Sequence, residues 1–178
     1  MTIIAFDGRL VSTDTLMTVS YTEFAASYRK MLPIQKNGKG KIHVMTFTGL
    51  TKFAAPMFDW YMKGAKGSVP MDDDDGALLV FIEGGGAIKF SHKGDMALPV
   101  PVPYAVGTGD DHAYALMVAA GFSAEKAVES ACKHCAGCGT PVETFDLGTG
   151  RWLNSIGAKA CNHDQLRDLA RKCKWTPL

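Results

Sequence analysis

The sequence predicts an α+β fold in which antiparallel sheets and helices pack as layers. Three observations carry that expectation. Hairpin signals stand at Asp7-Gly8 and at Gly84-Gly-Gly86, and a helical hairpin is patterned over 110–138. The composition, 178 residues with 47% apolar and 21% charged, is that of one ordinary soluble domain. A chain of this length buries roughly 70% of the surface its unfolded form exposes, so its core needs neither a disulfide nor a metal.

Thr2-Ile-Ile-Ala-Phe6 reads as a strand, Asp7-Gly8 as a two-residue turn and Arg9 to Thr13 as the returning strand. Lys41 to Thr48 has strand propensity and runs into Gly49. From Thr51 to Lys63, Phe53, Met57, Trp60 and Tyr61 recur at helical spacing, with Pro56 near the first turn. Gly76 to Glu83 is a buried strand, and Ala87 to Ser91 is its hairpin partner. Beyond the Pro-punctuated connector Leu98 to Pro103, helices are expected over Asp110 to Ala120 and from Ser123 to about Cys138, with Ser123 as N-cap. Pro141 to Leu147 alternates as a half-buried strand does, and Asp164 to Lys174 reads as a last amphipathic helix.

Charge excludes some function classes. A net charge of +1 gives no summed field for polyanions, and the Lys36-Asn-Gly-Lys-Gly-Lys41 stretch reads as a solvated turn, so nucleic acid is not expected as a partner. No apolar run reaches the roughly 18 residues of a membrane span, and no secretory profile opens the chain; a cytoplasmic location is expected. Five cysteines, an odd number, point to reduced thiols. The run Asp72 to Asp75 reads as an acidic turn and not a Ca²⁺ or Mg²⁺ site, because consecutive carboxylates lack the alternate-residue geometry that encircles an ion.

Removal of Met1 would expose Thr2, whose hydroxyl nucleophile and free α-amine base would then sit in one residue. The segment from Thr2 to Thr15, with Asp14 after a small-small pair, resembles the opening of proteasome β-subunits and HslV-type peptidases, including phage and prophage members. Tyr28-Arg-Lys30-Met-Leu-Pro-Ile34 looks like that family's lysine segment. Ala105-Val-Gly-Thr-Gly-Asp-Asp-His-Ala-Tyr-Ala115 resembles its Gly-Ser-Gly turn and helix start, with Thr108 in place of serine. Gly121 to Ala131 and Gly139 to Leu147 are similar to its second long helix and the strand after it. The resemblance spans 2–147 of a single domain, 1–178, and leaves 148–178 as a helical extension.

What the resemblance implies is a four-layer αββα sandwich of the N-terminal-nucleophile hydrolases and a threonine peptidase or amidohydrolase acting through an acyl-enzyme ester on Thr2. It matches Asp14 to the family's active-site aspartate and Lys30 to its catalytic lysine. A longer turn before Gly49 leaves Lys36 as the other candidate for the lysine position. It assigns the oxyanion donor to the Gly49 N–H and the Gly-Ser-Gly hydroxyl to Thr108. It also implies a peptide or protein substrate, a homo-oligomer in the form of a ring, an unfoldase partner, a host cytoplasm if the chain is phage-encoded, and no cofactor. The apolar residues Phe53, Met57, Phe58, Trp60 and Tyr61 exceed what one buried helix face needs, which also points to self-association.

Two departures are visible. Where the family carries an Asp and a Ser that help position the terminal amine, this chain has Cys135 and Cys138. This departure does not by itself abolish catalysis; the alternative reading, a catalytically inactive assembly or binding protein, goes with retention of Met1, which would bury the nucleophile in a peptide bond. Cys132-x-x-Cys135-x-x-Cys138 also has spacings that metal sites use, with Cys161, His163 or Cys173 as the fourth ligand. On a continuous helix, however, i+6 is rotated by about 240° from i, so three converging thiolates would require the chain to leave the helix near Ala136-Gly137. Core thiols and no metal are expected.

Overall fold

The computed structural model describes residues 2–19, 23–25, 27–71, 76–91, 94–160 and 162–178. The acidic run at 72–75 and Cys161 lie outside the described residues. The chain divides into two compact units, one of residues 1–30 with 101–163, the other of 31–100 with 164–178.

The elements in chain order are β1 (Ile3–Phe6), β2 (Leu10–Asp14), β3 (Met17–Val19), β4 (Glu23–Ala25), β5 (Met31–Lys36) and β6 (Ile42–Thr48). A 3-10 turn, Thr51–Phe53, then leads into α1 (Ala54–Met62). There follow β7 (Ala77–Ile82), β8 (Gly86–Ser91), β9 (Gly94–Val100), β10 (Tyr104–Gly107), α2 (Asp110–Ala120), α3 (Ala124–His134), β11 (Val142–Asp146), β12 (Arg151–Asn154), α4 (His163–Lys172) and β13 (Trp175–Pro177).

In the first unit an antiparallel sheet runs β10-β1-β2-β11-β12, with β3 and β4 paired beside it in sequence as a separate ribbon. The expected hairpin is there: Asp7 caps its turn by accepting from the N–H groups of Arg9 (2.9 Å) and Leu10 (2.8 Å). The other oxygen of Asp7 accepts the Ala124 N–H at 2.9 Å, which ties the start of α3 to that turn. Ser123 is the N-cap of α3, as its type and position predict. α2 and α3 lie on the sheet through small side chains: Ala113, Ala124, Ala127 and Ala131 are fully buried against Ile3, Ala5 and Val142.

The second unit is a six-stranded sheet, β13-β5-β6-β7-β8-β9. α1 and α4 cover one face of it, and the core between them is large and soft, with Leu32, Ile34, Met45, Phe47, Met57, Phe58, Leu78 and Leu166 buried. The apolar residues of α1 that pointed to self-association are absorbed here. Met57 and Phe58 are buried, and Trp60 and Tyr61 close on Phe90, with ring centroids at 5.3 Å and 5.8 Å. The exposed large apolar side chains on a helix are instead Tyr114 and Val118 of α2.

Two expectations are corrected. The helix expected to run from Ser123 to about Cys138 stops at His134, and Cys135 leaves it extended at φ −111°, ψ 124°. The chain must turn there for Gly139 to reach the carboxylate of Asp14, described below. The connector expected at Leu98–Pro103 is in part strand, because β9 continues to Val100 along β8. The segment 148–178 holds α4 but also β12, which joins the first sheet, and β13, which joins the second.

Candidate active site

Thr2 immediately precedes β1, and its main chain is gripped from the β10 side. The Thr108 N–H donates to the Thr2 carbonyl oxygen at 2.7 Å. Gly107, at φ +103°, comes so near that a Cβ there would lie 1.9 Å from the same oxygen. Only glycine fits such an approach, since any side chain would displace Thr2.

Asp14 ends β2 and is fully buried. Its Oδ1 accepts from both the Ile3 N–H (2.9 Å) and Lys30 Nζ (2.6 Å), and its Oδ2 accepts from the Gly139 N–H (3.3 Å). A buried carboxylate so placed has its desolvation offset by a cation and two backbone dipoles. Lys30 is itself buried, and burial holds its pKa below the ordinary lysine value against the opposing attraction of Asp14. Lys30 is thus the lysine that meets Asp14; Lys36 stands exposed at the far end of β5 in the other unit.

The wall behind Thr108 is made of thiols. Cys138 Sγ donates to the Thr108 carbonyl at 2.7 Å. A Cβ on Gly109 would lie 3.2 Å from Cys135 Sγ and 3.3 Å from Cys138 Sγ, so this second glycine lets both cysteines close on the turn. Burial pushes the thiols of Cys132 and Cys138 up to about 12, with the Asp14 carboxylate adding to the shift. They are protonated donors at neutral pH, and weak nucleophiles. The helix does end before Cys138, the condition under which three thiolates could converge. Yet no group of three His, Cys, Asp or Glu side chains among the described residues is placed to hold a metal ion. Of the candidate fourth ligands, His163 Nδ1 lies 3.3 Å from Arg29, and Cys173 donates to Asp59 in the second unit.

Of the expected site residues, then, Thr2, Asp14, Lys30, Thr108, Cys135 and Cys138 are gathered in the first unit. Gly49 lies in the second, at the turn from β6 into α1, with φ +114°. Gly107 and Gly139 were not singled out by sequence reasoning for the contacts they make; the only signal was their place in the Gly-Thr-Gly turn and before Thr140-Pro141. Nor was the buried neighbour of this cluster, in which Glu143 accepts from Arg29 Nη2 (3.0 Å), Ser155 Oγ (3.0 Å) and the Ile156 N–H (3.0 Å). The guanidinium of Arg29 lies over Trp152 at 4.8 Å.

No protein-family model and no curated protein matches the sequence. Solved structures do match in shape. Thiobacillus denitrificans BPH, in complex with epoxomicin, superposes with a TM-score of 0.59 at 17% identity, covering 83% of this chain and 99% of that one. HslV from Trypanosoma brucei gives a TM-score of 0.57 at 18% identity over 82% and 99%. The Anbu complex of Pseudomonas aeruginosa, solved as a helical assembly, gives 0.58 at 10% identity over 97% and 92%. The fold of this chain is therefore that of the proteasome-like subunits, as the motifs from Thr2 to Leu147 implied.

Proposed function

We propose that the chain is a proteasome-like threonine hydrolase that cleaves peptide amides through Thr2 once Met1 has been removed. The observation that carries the proposal is the shared oxygen of Asp14, which holds the main chain next to Thr2 and the Lys30 ammonium together. The Lys30 charge disfavours protonation of a nearby terminal amine. The free amine takes the proton from Thr2 Oγ, and Oγ attacks the substrate carbonyl carbon. The resulting oxyanion calls for a backbone N–H donor, the role that the family reading gives to Gly49, and loss of one such donor costs about 10²–10³ in rate. Collapse breaks the C–N bond, and the terminal ammonium returns the proton to the leaving amine. Water, deprotonated by the same amine, then hydrolyses the ester. Thr108 and Cys138 act on geometry, since one holds the Thr2 carbonyl and the other holds Thr108.

The finer architecture belongs to this proposal. A single catalytic domain in a four-layer αββα sandwich is supported by the helical pair that each sheet carries on one face. Assembly of copies into a larger oligomer is supported by the apolar side chains Tyr114 and Val118 on the exposed face of α2, and an unfoldase partner follows from the same family reading. The test is intact mass together with epoxomicin, which the Thiobacillus protein binds. A species lighter by one methionine that gains one inhibitor mass, and a Thr2→Ala variant that gains none, is the expected result. Full retention of Met1 with no labelling overturns the enzyme and leaves an assembly or binding protein.

A further inference from the structure

Beyond the candidate active site, the second unit holds an open pocket of about 840 Å³, within the range of small-molecule sites. One wall is aromatic. His43 Nδ1 lies 2.9 Å from the Tyr61 hydroxyl, the rings of His43 and Trp175 are 5.3 Å apart, and Trp175 Nε1 is anchored on the Met62 carbonyl at 3.1 Å. The rim is cationic, with Lys36, Lys39 and Lys41 on one side and Lys63 on the other. Asp59 matches Lys63 at 2.6 Å, whereas Lys36, Lys39 and Lys41 pair with no carboxylate among the described residues.

The turn that carries those three lysines is held in shape. The Lys39 N–H donates to the Lys36 carbonyl (3.0 Å), Gln35 Nε2 to the Gly40 carbonyl (2.8 Å) and the Asn37 N–H to the Lys174 carbonyl (3.3 Å). The stretch that reads as a solvated turn in the sequence is therefore also the lip of a pocket. Three ammonium groups within six residues call for several adjacent negative charges, which a phosphate chain provides and a lone carboxylate does not. The aromatic wall calls for a planar body.

We propose that this pocket binds an aromatic polyphosphate, a ring carrying a chain of phosphates as in a nucleoside triphosphate, with the ring against His43, Tyr61 and Trp175 and the phosphates on Lys36, Lys39 and Lys41. Burial, with Lys41 and Lys36 adding to it, holds the His43 pKa below its ordinary value, so a bound polyanion reports itself by raising that pKa.

The test is calorimetric titration of the full chain at low salt with ATP, adenosine and inorganic triphosphate, paired with NMR titration of His43. ATP should bind at one saturable site, each fragment at least tenfold more weakly, and His43 should titrate at higher pH in the ATP complex. The triple variant K36Q/K39Q/K41Q should lose at least tenfold in ATP affinity with an unchanged melting curve, because all three side chains are exposed. Absence of saturable binding, an inorganic triphosphate as tight as ATP, an unmoved His43 or an unaffected triple variant would each overturn the proposal. So would an acidic peptide that binds more tightly than ATP, which would make the pocket a protein-docking site.

Discussion

The two units solve the burial problem in opposite ways. The second fills the space under α1 and α4 with Met, Phe and Leu and leaves its charges outside. The first packs its helices through alanine and spends the interior of its sheet on ions: Asp14 with Lys30, and Glu143 with Arg29. Apolar packing stabilises without caring about a ligand. Buried ion pairs contribute little net stability, because desolvation offsets attraction, but they fix groups in place. The first unit thus devotes part of its interior to position, beside the Ile3, Phe6 and Phe145 that it also buries, whereas the second buries no charged side chain among the described residues.

That contrast can be broken by substitution, beginning with the largest effect. Lys30→Met keeps the side chain out to Cε but removes the ammonium and strands the Asp14 carboxylate, so it should cost about 3–5 kcal/mol in denaturant unfolding and reduce turnover to background. Phe58→Ala in the second unit should cost a similar ~3–5 kcal/mol while leaving turnover per folded molecule unchanged. If Phe58→Ala silenced folded protein, or Lys30→Met did not, the separation of roles would be wrong.

Acid should also tell the units apart. The Arg9 guanidinium beside Asp146 holds its carboxyl down to about 2, helped by the Gly148 and Thr149 N–H groups. The unfolded chain then binds a proton that the folded one refuses, so this contribution is full above the ordinary carboxylate range and is lost as pH falls towards about 2. Thermal melts should fall across that window in the parent chain and less steeply in Asp146→Asn. Smallest of all, Cys138→Ser should change stability by no more than about 1 kcal/mol, since a hydroxyl can replace the thiol as donor to Thr108. Iodoacetamide should modify Cys132 and Cys138 slowly at neutral pH, because burial keeps both protonated.

What could be read in the sequence followed local chemistry. Asp7-Gly8 announced its hairpin and Ser123 its helix, because turn and cap signals live within a few residues, whereas Asp14 and Lys30 were reached beside Thr2 only through the resemblance to the proteasome-like family, with Lys36 left open. Strands that pair at long range were harder. β10 is four residues without clean alternation, and β12 and β13 take their identity from β11 and β5, which lie elsewhere in the chain. The premature end of α3 was illegible for the same reason, since Cys138 is drawn to Thr108 and Gly139 to Asp14 by partners 30 and 125 residues away. The pocket behind the lysine turn needed three dimensions, for its aromatic wall comes from β6, α1 and β13.

The alanines beneath α3 act as shims. Ala127 and Ala131 set the height of the helix above β1 and β2, and the loop that carries Cys135, Cys138 and Gly139 hangs from its end. Both are fully buried against the sheet, and a carbon added to a close-packed interior displaces its neighbours, so a larger shim should lift the helix. Drift in the unit's sequence is therefore constrained about two helical turns before Cys135: a valine at 127 would work as a wedge, tilting Gly139 off Asp14 without touching a residue of the site.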